Sequence, residues 1–306
     1  MKITKSILGI LVLFLGYSCV EEEISPSQIE APIAGVPVFD QSGDIEIKVF
    51  MSTTTSYRSS HDSHSVNVGS GYVLIGGGAY TIGVSEGAYI TESRPSTNKR
   101  TWYASSKDHG GRPDPHKLTV YAIGIKLRGL TRDQTASYVK INVGNYSSFQ
   151  AHPDSYVDMP TGYHLIGGGA EVDWSGSGNL LTASYPDGNR WRVASKDHLV
   201  SSPARIRAFA IGIKKQIAGF GNILKHVNSP SGSYVSWGLD DERSYAPIGY
   251  VVTCPGAEVD YGGGSGRMLM GLRPDSNLDY TESISKDHVN KNAGRLYNYV
   301  LSIRKQ

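Results

Sequence analysis

The sequence predicts an all-β protein built from three copies of one module. Two observations carry that expectation. Glycine and tyrosine are abundant, at 36 and 19 of 306 residues, and no long stretch has the 3.6-residue apolar period of a helix. Short β-rich runs alternate instead with Gly, Ser, Asn, Asp and Pro. In addition, four landmarks recur in the same order at nearly one period.

The first landmark is a Gly-Tyr that opens a strand, at Gly71-Tyr72, Gly162-Tyr163 and Gly249-Tyr250. It runs into Leu74-Ile75-Gly76-Gly77-Gly78-Ala79 and Leu165-Ile166-Gly167-Gly168-Gly169-Ala170, but into Val252-Thr253-Cys254-Pro255-Gly256-Ala257 in the third copy. The second is a proline after a short strand (Pro95, Pro186, Pro274). The third is Ser-Lys-Asp-His, at Ser106–His109, Ser195–His198 and Ser285–His288. The fourth is a closing strand, Tyr121–Lys126, Phe209–Lys214 and Tyr299–Arg304. A further strand precedes each Gly-Tyr, as at Ile45–Val49 and Tyr138–Val143, giving five or six strands per copy.

Side chains alternate faces along a strand. Tyr121, Ile123 and Ile125 therefore share a core-facing side, as do Phe209, Ile211 and Ile213, and Tyr299, Leu301 and Ile303. The other side carries small residues (Ala122 and Gly124, Ala210 and Gly212, Val300 and Ser302) and should admit a close backbone, for which the glycine strand is the natural partner. The copies span residues 44–130, 131–217 and 218–306. Short links and repeated small faces favour one pseudo-threefold, β-prism-like body over three small β-sandwiches in a row.

The N-terminus is of a different kind. Lys2 and Lys5 precede an apolar run, Ile7–Leu15, too short for the roughly 20 residues that span a bilayer. The run Leu15-Gly16-Tyr17-Ser18-Cys19 resembles a relaxed lipobox, and Glu21-Glu22-Glu23 after it is similar to the surface-export signal of some Gram-negative lipoproteins. The resemblance implies a signal peptide over residues 1–18, acylation of Cys19, a tether over 19–43, and display from the outer membrane. Cleavage before Cys19 would remove Lys2 and Lys5 and leave 28 basic and 28 acidic side chains. A neutral chain has no electrostatic footprint for nucleic acid or for anionic membrane. With Cys19 acylated, Cys254 has no disulfide partner within the chain.

The Ser-Lys-Asp-His tetrapeptide is the most suggestive chemical feature. It holds the residue types of a hydrolytic triad, but neighbours on a strand point to opposite faces and cannot form one hydrogen-bonded line. Asp108, Asp197 and Asp287 can instead accept backbone N–H bonds in the turn that follows, with His109, His198 and His288 half-buried beside them. Alternatively Lys107, Asp108 and His109, Lys196, Asp197 and His198, and Lys286, Asp287 and His288 line a repeated shallow sugar site. Trp102 and Trp191 would then supply the aromatic face, and the third copy has Thr281 in that place. His61-Asp62-Ser63-His64 occurs in one copy only, and no His or Cys set recurs at metal-ligand spacing. Asp240-Asp241-Glu242 reads as a solvated loop. The triple glycines lie in an apolar strand without a following Gly-Lys-Ser/Thr, unlike a phosphate loop. No metal or cofactor is expected. The sequence points to a non-enzymatic, lectin-like or adhesive surface protein that takes glycan or envelope protein. An assembly component of the envelope and a polysaccharide hydrolase are the rivals.

Overall fold

The protein is described here by a computed structural model covering residues 33–83, 87–108, 114–230 and 232–306. Cys19 and His109 lie outside the described residues. Two short strands, β1 (Ile33–Ala34) and β2 (Val38–Phe39), lead in. The first copy contributes β3 (Ile45–Thr53), β4 (His61–Asn67), β5 (Val73–Gly83), β6 (Tyr89–Pro95), β7 (Thr101–Lys107) and β8 (His116–Leu127). After helix α1 (Arg132–Tyr138) come β9 (Val139–Val143), β10 (Asp154–Asp158), β11 (Tyr163–Asp173), β12 (Leu180–Asp187), β13 (Arg190–Lys196) and β14 (Arg205–Lys214) of the second copy. Following β15 (Gln216–Ile217), the third copy holds β16 (Gly221–Val227), β17 (Tyr234–Val235), β18 (Leu239–Tyr245), β19 (Val251–Asp260), β20 (Arg267–Pro274), β21 (Tyr280–Asp287) and β22 (Gly294–Lys305).

The six main strands of a copy do not form one sheet. Three sheets run β3-β8-β5-β20-β21-β18, β9-β14-β11-β6-β7-β4 and β16-β22-β19-β12-β13-β10 in neighbour order, antiparallel throughout. Each copy gives one half to one sheet and the other half to the next, and the third copy closes on the first. The joints fall at the same place each time: Ala79 opposite Leu272, Ala170 opposite Ser93, and Ala257 opposite Ser184. The result is a closed, pseudo-threefold all-β body.

The glycine strands explain the closure. Each has a bulge at the same point, between Leu74 and Gly76, Leu165 and Gly167, and Val252 and Cys254. A bulge bends its strand. The three bends meet at the pseudo-threefold axis, where a Cβ on Gly167 would lie 2.6 Å from the Ile75 carbonyl oxygen and one on Gly76 would collide with Thr253 backbone. Thr253 Oγ1 donates to the Ile166 carbonyl at 2.6 Å. Only one of the three equivalent positions carries a side chain, Cys254, and it is fully buried.

The glycine strand pairs with the closing strand in each copy, Gly77 opposite Ala122, Gly168 opposite Ala210 and Pro255 opposite Val300. Side chains cover the small residues: Gly77 lies under Trp102, Gly168 under Trp191, and Gly124 under Tyr72. Each indole donates to a serine on the neighbouring strand, Trp102 to Ser93 Oγ and Trp191 to Ser184 Oγ, both at 3.0 Å. The third copy replaces the set together. Pro255 stands for the glycine, Thr281 for the tryptophan, and a buried polar network fills the space. In it Asn298 Nδ2 donates to the Thr281 carbonyl at 2.7 Å and Ser283 Oγ to Asn298 Oδ1 at 2.6 Å. The Ile and Leu residues of the closing strands join one continuous apolar core.

Two local readings are corrected. Tyr138 ends a helix rather than starting a strand. Thr131 caps that helix, accepting from Gln134 N while its own N–H donates to Gln134 Oε1, and this reciprocal pairing stabilises a first turn too short to show periodicity. Asp240-Asp241-Glu242 lies in β18, paired with β21, and Asp240 is buried.

Candidate functional site

The Ser-Lys-Asp-His motifs sit where one copy grips the next. Lys107 packs its stem against Gly178, with Nζ 5.6 Å from the Trp174 ring. Lys196 donates to the Ser265 carbonyl at 2.6 Å and lies 4.8 Å from the Tyr261 ring. The stem of Lys286 approaches Gly87. In each case the partner is the loop between the glycine strand and the strand after it, in the next copy round the ring. Burial pushes the Lys196 ammonium below its usual range.

The aspartates hold the turns. Asp108 Oδ2 accepts from Ser60 N at 2.7 Å and Asp114 N at 3.2 Å. Asp197 Oδ2 accepts from Ser202 N at 3.0 Å. Asp287 accepts from Gly238 N at 2.9 Å and Asn292 N at 3.0 Å. Such charge-assisted bonds to backbone N–H groups fix loop geometry. His198 Nδ1 donates to the Ser265 carbonyl at 2.7 Å, and the His198 and His288 rings meet edge to face at 5.2 Å.

Trp102 and Trp191 are 1% and 0% exposed. The expectation that they stack on a ligand is therefore corrected: both indoles are interior, because each fills the gap above a glycine. His61 and His64 also part company. His61 packs on Trp174 at 5.7 Å, while the buried His64 bonds Ser52 Oγ at 2.9 Å. Among the described residues no group of three or more His, Cys, Asp or Glu side chains is placed to hold a metal ion.

An open site lies elsewhere, in the first sheet, where Tyr121, on the same strand face as Ile123 and Ile125, borders a cavity. In each sheet the aromatic of the closing strand stands directly opposite the last residue of the triple-glycine position: Tyr121 opposite Gly78, Phe209 opposite Gly169, and Tyr299 opposite Gly256. Each of these glycines is covered by backbone of the strand joined to it, at Leu272, Ser93 and Tyr185, which brings the residue before the landmark proline beside the aromatic. The trough beside the second aromatic is filled by Arg94, 5.4 Å from the Phe209 ring and 4.9 Å from that of Tyr103. The third is filled by Tyr185, stacked on Tyr299 with centroids 5.2 Å apart and planes at 24°.

In the first trough the corresponding residue, Arg273, lines the space without filling it and reaches the Tyr121 phenol. It lies 4.7 Å from the Tyr80 ring and pairs with Glu282, which also accepts from Arg243 Nε at 2.7 Å. A cavity of about 310 Å³ remains, walled by Tyr121, Tyr280, Val49, Met51 and Pro274, with Arg273, Asp275, Ser276 and Glu282 supplying polar groups. Ile33 and Gly35 close one side. Burial opposes charge on Glu282, but the Arg243 and Arg273 guanidiniums outweigh it and hold its carboxyl below the usual range. Burial pushes the Tyr121 phenol up.

The chain matches no family model, and no curated protein matches it significantly. The cavity was legible only in part from the sequence. Arg94, Tyr185 and Arg273 precede the three landmark prolines, but their three different fillings of one groove depend on the sheet halves brought together from different copies.

Proposed function

We propose that this is a surface-anchored, non-enzymatic glycan-binding protein whose principal site is the cavity beside Tyr121. The observation that carries the reading is that, of three equivalent troughs, the first stays open and combines two tyrosines with planar charged groups. A sugar presents one apolar face and a rim of hydroxyls, and an aromatic wall beside Arg, Asp and Glu suits both. Glu282 is held as a carboxylate by two arginines, which fits it to accept hydroxyl hydrogen bonds. A general acid of a glycosidase needs the opposite shift.

The anchor is Cys19, whose acyl chains would hold the domain at the outer membrane. A glycan array probed with the purified protein should give binding that Tyr121→Ala and Glu282→Gln each abolish. Binding that survives both changes, or no binding to any glycan, contradicts the proposal. Mass spectrometry of the N-terminal peptide tests the acylation separately.

A further inference from the structure

One end of the body carries a repeated surface feature that the glycan site does not use. The loops after β3, β9 and β16 fold back onto the start of each closing strand. Arg58 bridges His116, Gln150 bridges Ala204, and Val235 pairs with Gly294. The register places Tyr57 across from Lys117, Phe149 across from Arg205, and Tyr234 across from Arg295. These three aromatics are 50%, 62% and 66% exposed. Lys117 Nζ lies 5.3 Å from the Tyr57 ring and the Arg205 guanidinium 5.1 Å from that of Phe149. In the third copy the ring–cation contact is made by Trp237, 59% exposed, with Lys291 Nζ at 4.7 Å.

The loops at this end also expose apolar side chains. Leu199, Val200, Leu239 and Val289 are exposed there. The His198–His288 contact and the Gly238–Asp287 hydrogen bond tie their loops together. The chain also enters from this end. Ile33 pairs with Met51, two residues before β3 ends at Thr53, and the lead-in then runs away from the loops toward Glu46. The 14 residues from Cys19 to Pro32 reach at most about 50 Å when extended.

We infer that this end is a bilayer-docking face, in which these rings and cations sit among lipid headgroups and the Leu and Val side chains reach the acyl boundary. Rings with a polar neighbour and cations on apolar stems are the side chains that a membrane interface favours. Three equivalent aromatics around one axis define a plane, as contact with a flat surface requires. The direction of the inference rests on the anchoring at Cys19 proposed above, since a short tether leaving this end turns it toward the membrane. The contact itself does not need the lipid.

The test uses the mature chain, residues 19–306, carrying Cys19→Ser, which lacks the apolar Ile7–Leu15 run and cannot be acylated, floated with vesicles of phosphatidylethanolamine and phosphatidylglycerol. The parent should float, and quenching by brominated lipid should report a tryptophan in the bilayer. The combined variant Tyr57→Ser, Phe149→Ser, Tyr234→Ser should lose about tenfold in partitioning with an unchanged melting temperature. Failure of the parent to float, equal flotation of the variant, or binding only to native membranes that contain protein would each overturn the inference. Glycan binding and acylation of the wild-type cysteine are read by separate assays, so either can fail alone.

Discussion

The Trp102 ring stands against the α-carbon of Gly77, leaving no space for a Cβ. Trp191 bears the same relation to Gly168. Gly77→Ala or Gly168→Ala should therefore destabilise by about 3 kcal/mol, because a packed core cannot move an indole aside without strain. Urea unfolding of the single variants checks this. A change within error in either would mean that the indole can shift at little cost.

Cys254 fills the axis that Gly76 and Gly167 leave bare. Its Sγ lies 3.9 Å from the Gly77 carbonyl oxygen and 3.7 Å from that of Gly168. Burial pushes the thiol up to about 11, so it stays protonated and shielded at neutral pH. Native protein at pH 8 should leave Cys254 unmodified by iodoacetamide, and denatured protein should be modified there. Peptide mass mapping distinguishes the two, and rapid modification in the folded state would contradict the axial packing.

The lysine grip between copies should appear in stability rather than in ligand binding. Lys196→Ala removes the donor to the Ser265 carbonyl and the stem packed against Gly266. The expected cost is about 1–3 kcal/mol, with glycan binding at the Tyr121 cavity unchanged. Loss of binding without loss of stability would return the motif to the ligand site.

Asp240 gives a pH signature. Burial raises its carboxyl from an ordinary 3.8 to about 6. Between these values the folded state keeps a proton that the unfolded state gives up, so stability falls as pH rises from about 4 to 6 and stays reduced above that. Asp240→Asn should stabilise by about 2 kcal/mol at pH 8 and by little near pH 4. Thermal melts at both pH values test the sign, and an equal effect at both would remove titration as the cause.

The landmarks of the repeat were legible because each is a local demand of a strand or turn. Alternating Ile and Gly wrote the closing strands, and the prolines marked strand ends. The troughs were not legible. Arg273 and Tyr121 are far apart in sequence and belong to different copies, so nothing local says that they share a groove. The Tyr57, Phe149 and Tyr234 loops differ in length, and only pairing to the closing strand reveals them as equivalent.

What the sequence alone determined is the all-β class, the threefold repetition and the strands that carry it, since side-chain period and turn chemistry act within a few residues. Only the tertiary structure decided that each copy divides its strands between two sheets, that the tryptophans belong to the core, and that one trough remains open. Those outcomes depend on which backbone groups can approach at the axis, where a missing Cβ on one strand is answered by a carbonyl from a strand about 90 residues away.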